Sequence, residues 1–183
     1  MVAGLSDREI TADIIESCRL GDRDAFRALY EAYKDKVYSI ALYFFHGDEA
    51  AASDMTQQVF LKLIQGIAQF RGEAGFSTWL YRLVVNACLD GARRAKPRQV
   101  GELRESAEAP AQEDDAARRQ MQQRVQAALS ALPAKFRLPL LLWYFDDLSY
   151  TEMAAAMKCS MGTVASRLSR GHKMLARELE ESE

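Results

Sequence analysis

The sequence predicts an all-α fold: two small helical domains joined by a flexible acidic linker, the second containing a helix-turn-helix. Three observations predict it. Apolar residues recur at steps of three and four in several separate stretches, which is the period of one helix face. No stretch sustains the two-residue alternation of a half-buried strand. From about residue 96 to 115 the periodicity lapses, leaving Glu102, Glu105, Glu108, Glu113, Asp114 and Asp115 with Pro97 and Pro110. Such a run cannot bury enough apolar surface to offset its chain entropy. The expected boundaries are therefore a first domain over 1–95, a linker over 96–118 and a second domain over 119–183, with the linker holding the domains apart.

In the first domain, Phe26, Leu29, Tyr30, Tyr33, Val37, Ile40, Ala41 and Phe44 form one apolar stripe, which Gly47-Asp48 breaks. Met55, Val59, Phe60, Leu63, Ile64 and Ile67 form a second stripe. Gly72 and Gly75 bracket a short loop, after which Phe76, Leu80, Leu83, Val84 and Ala87 form a third. In the second domain, Val125, Ala128, Leu129 and Leu132 make a helix that Pro133 ends, and the run 136–145 makes another. Ser149 followed three positions later by Glu152 is a capping-box pattern for a short alanine-rich helix over about 150–157. Lys158-Cys159-Ser160 supplies a turn, with Ser160 placed to cap the last helix.

At 183 residues, 49% hydrophobic and 27% charged, the chain can bury one fair-sized core or two small ones. The net charge of -2 hides segregation. Acidic residues outnumber basic ones over 1–54, whereas 76–98 carries Arg82, Arg93, Arg94, Lys96 and Arg98 against Asp90 alone. A second basic stretch holds Lys158, Arg167, Arg170, Lys173 and Arg177. A nucleic-acid reader needs local positive surface, so a near-zero total does not exclude DNA. Cys18, Cys88 and Cys159 are far apart and odd in number, and no Cys-x-x-Cys occurs, so reduced thiols are expected. Residues 1–11 lack the apolar core of a signal peptide, and the apolar run near 40–45 is too short to span a bilayer. The expectation is a soluble cytoplasmic protein without membrane insertion, cofactor, metal or catalytic residues. No Gly-rich phosphate loop, metal-ligand spacing or nucleophile beside a base supports an enzyme.

On the last helix, Val164, Leu168 and Leu175 share one face, while Thr163, Arg167 and Arg170 share another, with Ser166, Ser169 and Lys173 beside them. Two short helices, a tight turn and an outward basic face on the second are what a major-groove reader requires. Arginine pairs bidentately with guanine, and serine or threonine contacts bases or phosphates.

Leu148-Ser149-Tyr150-Thr151-Glu152-Met153-Ala154 and Gly162-Thr163-Val164-Ala165-Ser166-Arg167-Leu168-Ser169-Arg170 resemble the second DNA-binding domain of extracytoplasmic-function (group 4) sigma factors of the sigma-70 family. Leu129-Ser130-Ala131-Leu132-Pro133 with Phe136-Arg137 resembles the start of that domain. The resemblance implies recognition of the promoter −35 element through Thr163, Ser166, Arg167, Ser169, Arg170 and Lys173, with the same domain gripping the β flap of core RNA polymerase. Phe70-Arg71-Gly72-Glu73-Ala74-Gly75-Phe76-Ser77-Thr78-Trp79-Leu80-Tyr81-Arg82, continuing to Asn86 and Arg93-Arg94, is similar to the family's −10 melting region. There Arg71, Ser77, Tyr81, Arg82, Asn86, Arg93 and Arg94 are the implied contacts to promoter DNA. Opening DNA needs pockets for an unstacked base and cations for the backbone. Phe76 and Trp79 lie on the apolar stripe and are expected in the core; Tyr81 and Arg82 are expected at the surface. Arg93 and Arg94 suit either phosphate contacts or plain surface charge.

The helix over 54–67 resembles the family's docking element for the β′ clamp, with Asp54, Gln57, Gln58 and Phe60 at the implied contact positions. The resemblance also implies an anti-sigma partner. The chain departs from the family pattern at Thr56-Gln57-Gln58, which is less acidic, at Ala165, which replaces a cation, and at Ser160-Met161, which replaces a proline-containing turn. Gly171 within the last helix costs about 1 kcal/mol relative to alanine. The alternative is a stand-alone helix-turn-helix regulator, which explains the C-terminus equally well but not the basic and aromatic block over 70–94.

Overall fold

The computed structural model describes residues 10–72, 75–94 and 113–181, and most of the linker therefore lies outside the described residues. Among the described residues there is no strand. The helices run α1 Ala12–Arg19, α2 Arg23–Phe44, α3 Glu49–Gly66, a 3-10 turn Ile67–Gln69, α4 Phe76–Arg94, α5 Glu113–Ala131, α6 Ala134–Asp146, α7 Tyr150–Met157 and α8 Met161–Glu181. Local chemistry sets most of these bounds. Asp22 accepts from the Asp24 and Ala25 amides at 2.8 and 3.2 Å, and Asp48 accepts from Ala51 at 3.0 Å. Both satisfy orphan donors at a helix start. Gly47, at φ 79°, lets the chain leave α2 sharply.

The first helix of the second domain reaches back into the segment read as linker. α5 begins at Glu113, so the last residues assigned to the linker, 113–118, are already helical. Their charges do not prevent this, because Ala116, Ala117 and two arginines after them favour a helix, and the apolar stripe needed only to start later.

α2, α3 and α4 form the first domain. Leu29, Tyr33, Val37, Ile40, Ala41 and Phe44 of α2 meet Ala52, Met55, Val59, Phe60 and Leu63 of α3 and Phe76, Leu80 and Val84 of α4 in one core. Two members of the expected stripes turn outward instead, Tyr30 and Ile64. Each sits at the edge of its stripe, where a small rotation of the helix decides exposure.

α5, α6, α7 and α8 form the second domain, in which α6 is the centre. Arg137, Leu138, Pro139, Leu140, Leu141 and Leu142 are all buried, so α6 has no solvent face over this run. A helix apolar all round needs neighbours all round. α8 covers one side, and α2 of the first domain covers another. The two domains are thus packed together and not held apart. α4 likewise packs against α7.

Gly171 explains itself in this setting. It is buried where α8 crosses α6, and a Cβ there would lie 3.1 Å from the Phe136 carbonyl oxygen and 3.1 Å from Leu140 Cδ1. The lost helix propensity is exchanged for a close crossing.

Candidate nucleic-acid interface

The helix-turn-helix is built as its sequence predicts. Ser149 Oγ accepts from the Glu152 amide at 3.2 Å, and the Glu152 carboxylate accepts from the Ser149 amide at 2.9 Å. Lys158 ends α7 in the left-handed region at φ 51°, letting the Cys159 amide bond back to the Ala154 carbonyl at 3.0 Å. Ser160 then starts α8, accepting from the Thr163 amide at 3.2 Å. Met153, Ala154 and Ala156 are buried, so the alanine patch does bring helices close, against α8 and also α4.

On α8, Val164, Leu168 and Gly171 face inward. Ser166, Ser169, Arg170 and Lys173 are exposed and Arg167 is half-exposed, all clear of the domain core. Thr163 differs. It is half-buried, and its hydroxyl lies 2.9 Å from Ser160 Oγ, which engages it in the cap.

The first domain presents a narrower face. Asn86, Arg93 and Arg94 of α4 are exposed, Arg82 and Ser77 are half-buried, and Arg71 is exposed in the preceding loop. Arg82, Asn86 and Arg93 follow one another at helical spacing and share a stripe. Arg93 pairs with Asp90 at 3.1 Å, and both arginines sit in the last turn, where cations oppose the helix dipole. Phe70, Phe76 and Trp79 cluster with ring centroids 5.3–6.0 Å apart, tying the loop to the start of α4. Phe76 is core, as its stripe position predicts.

Tyr81 is the correction. It is 0% exposed. With Thr78, Val85 and Cys88, all buried, it extends the inward face of α4 until it borders the stripe that carries Arg82. The expected exposure assumed one narrow apolar stripe, whereas α4 is covered over a wide arc. Burial also pushes the Cys88 thiol well above its ordinary range.

On α3, Asp54, Gln57 and Gln58 are exposed, but Phe60 is 6% exposed with its ring 4.8 Å from that of Tyr30. The outward apolar side chains on this face are Leu61, which continues the spacing of Asp54, Gln57 and Gln58, and Ile64 one turn on. No motif pointed to Leu61. Its signal was an apolar residue out of phase with the core stripe.

The contacts that sequence reasoning missed lie between the domains. Arg137 is buried in α6. Its Nη2 donates to the Leu132 and Ser130 carbonyls at 2.6 and 3.2 Å, closing off the end of α5. Its Nη1 donates to the Phe44 carbonyl at the end of α2 at 2.6 Å and lies 3.0 Å from His46 Nε2. One guanidinium thus meets the negative ends of two helices from two domains. Burial lowers its pKa to about 10, leaving it charged at neutral pH. Burial, and then the neighbouring Arg137 charge, lower the pKa of His46. Lys36 of α2 pairs with Asp146 of α6, and Tyr43 meets Phe145 at 5.4 Å.

Among the described residues no cluster of His, Cys, Asp or Glu is placed to hold a metal ion, and no helix is long and apolar enough to cross a membrane. A capped helix-turn-helix with a free basic face, in one chain with a second exposed arginine stripe, defines a two-domain all-α DNA-binding protein.

Comparison with known proteins narrows the class. Residues 29–98 match the profile for sigma-70 region 2, and residues 122–175 match that for sigma-70 region 4. The chain is 30% identical to the ECF RNA polymerase sigma factor SigW of Bacillus subtilis over 177 residues, covering 90% of this chain and 94% of that one. It is also 30% identical to the RNA polymerase sigma-H factor of Pseudomonas aeruginosa, covering 94% and 95%. The structure of CnrH in complex with the cytosolic domain of CnrY superposes with a TM-score of 0.74 at 21% identity, covering 96% of this chain and 100% of that one. That of the sigma factor RpoE with the anti-sigma factor NepR from Bartonella quintana gives 0.64 at 20% identity, covering 85% and 96%. The chain belongs to the sigma-70 family of RNA polymerase sigma factors, in its extracytoplasmic-function group.

Proposed function

We propose that this sigma factor directs core RNA polymerase to promoters by reading the −35 element with α8 and contacting the opened −10 strand with the loop before α4 and the α4 arginine stripe. The carrying observation is that both exposed basic surfaces, Ser166 to Lys173 on α8 and Arg82 to Arg94 on α4, occur in one chain. On α8, Ser166, Arg167, Ser169, Arg170 and Lys173 supply the contacts, and Thr163 contributes mainly through the Ser160 cap. On α4, Arg82, Asn86, Arg93 and Arg94 act with Arg71 and Ser77 from the loop and first turn. Tyr81 acts from the core, by fixing α4.

The α3 face of Asp54, Gln57, Gln58 and Leu61 docks on the β′ clamp, and the second domain engages the β flap. The fold also suits capture by an anti-sigma protein. The protein works by binding, in the compartment of its polymerase. Transcription reconstituted from core polymerase and purified chain tests this reading on a library of genomic promoters. Initiation confined to a subset sharing one −35 and one −10 sequence is the expected result. Tight operator binding with no affinity for core would establish the stand-alone regulator instead.

A further inference from the structure

We infer that α8 meets its −35 element along two unlike edges, and that the apolar edge, Met161 with Ala165, selects thymine by its 5-methyl group. The inference rests on the promoter reading above and adds a specificity that the basic residues do not supply. Val164, Leu168 and Gly171 fix the inward side of α8. By helical spacing Gly162, Ser166, Ser169 and Lys173 then lie opposite that side, and all four are exposed. Arg167 and Arg170 flank this line on one edge, and Met161 and Ala165 flank it on the other. From Met161 to Arg170 every charge of α8 is therefore on the arginine edge.

The apolar edge stands at the end of the helix that enters the groove. The N-terminal residues of a recognition helix are the ones that contact base edges. Met161 is the first residue of α8 and keeps 55% of its surface exposed. The Thr151 hydroxyl donates to its sulfur at 3.3 Å, which ties the thioether to the start of α7 and occupies its weak acceptor. The nearest hydroxyls are engaged with each other, since Ser160 Oγ and Thr163 Oγ1 lie 2.9 Å apart and Ser160 also caps the helix. At Gly162 an added Cβ would meet only Ser160 Oγ, at 3.9 Å, so bare backbone can come close to a base. What this end offers DNA is one held methionine, one alanine methyl and open backbone.

The chemistry of the groove then decides the base. Among the major-groove edges of the four bases, the thymine 5-methyl is the only apolar group. A G·C pair in the same place would press the cytosine amino group, or the guanine O6 and N7, against carbon and leave them without partners. The edge thus favours thymine and also penalises its competitors.

Holoenzyme assembled from core polymerase and the full chain tests this on promoters in which each −35 thymine, on either strand, is exchanged in turn for uracil. Uracil lacks the 5-methyl group alone. One exchange, or two neighbouring ones, should weaken promoter binding about fourfold, as loss of one buried methyl group does. In holoenzymes carrying Met161→Ala or Ala165→Gly, thymine and uracil should bind alike at the position which that residue faces. A merely weakened helix would lower affinity for both bases together and keep the preference for thymine. Uracil tolerated at every −35 thymine would overturn the inference. So would a −35 element of G·C pairs alone, or a thymine preference that survives both substitutions. In those three cases the dependence on −35 sequence leaves the promoter reading standing. Initiation indifferent to every −35 base change would overturn the promoter reading, and this inference with it.

Discussion

α8 and α4 both turn arginines to solvent, yet they come by that surface differently. α8 buries one stripe, Val164, Leu168 and Gly171, and leaves Ser166, Ser169, Arg170 and Lys173 exposed. α4 buries a wider face, part of it toward α2 and α3 and the rest through Thr78, Tyr81, Val85 and Cys88. Several polar residues of α8 are therefore exposed, although Thr163 joins a cap and His172 meets the Tyr144 ring at 5.8 Å, whereas one on α4 is exposed only within a narrow arc. Residue type alone does not separate the cases. Tyr81 and Arg82 are neighbours in sequence, and one is wholly buried while the other is partly exposed.

The largest effect that can break this contrast is at Tyr81. Truncation to alanine should cost about 3–5 kcal/mol of unfolding free energy, as other buried aromatic deletions do. Urea denaturation measures it, and a loss near zero would mean that this part of the α4 face is not core. Next comes Gly171→Ala, whose methyl must displace the Phe136 carbonyl. Overpacking should outweigh the gain in helix propensity and lower stability by about 1–2 kcal/mol. A stabilised variant would show that α6 and α8 can move apart freely. Ser149→Ala should cost about 1 kcal/mol through the lost capping box, seen as a lower Tm. Arg170→Ala sharpens the contrast from the other side. Stability should stay within about 0.5 kcal/mol while transcription from −35-dependent promoters falls and core binding persists.

The smallest expected effect concerns pH. His46 Nε2 faces the Arg137 guanidinium, and the histidine pKa is lowered by burial and then by that charge. Packing of His46 beside Arg137 therefore favours neutral imidazole. It is unaffected above the ordinary histidine pKa near 6.5 and weakens as pH falls through the lowered value. The Tm should fall slightly between about pH 7.5 and about pH 5.5. In a His46→Gln chain it should not.

Within each domain the sequence was a good guide, because caps and stripes are local. Ser149 with Glu152, Ser160, Gly47-Asp48 and the α2 stripe all follow from residues within one or two turns of each other. What escaped was long-range. The buried run 138–142 signalled a helix covered on every side but not by what, and the first domain proved to be part of the answer. Tyr81 escaped for the same reason, since its cover lies outside the stripe that its own helix displays. Arg137 belonged to a motif, but nothing in its spacing showed that it would also meet the Phe44 carbonyl, which lies on another domain. On α3 the misplacement of Phe60 relative to Leu61 is a one-residue phase error, small in sequence and complete in orientation.

The sharing of α6 bears on inheritance. Its leucines answer to two sets of neighbours, α8 on one flank and α2 on the other, so they cannot drift to suit either alone. Hybrids that join the first half of one such factor to the second half of another would pair an α6 with an α2 it never evolved beside. Each half of the hybrid would still fold, and its DNA-facing side chains would be intact. What it would lose is the fit between the halves, so a graft made to change promoter choice would also lower the stability of the factor.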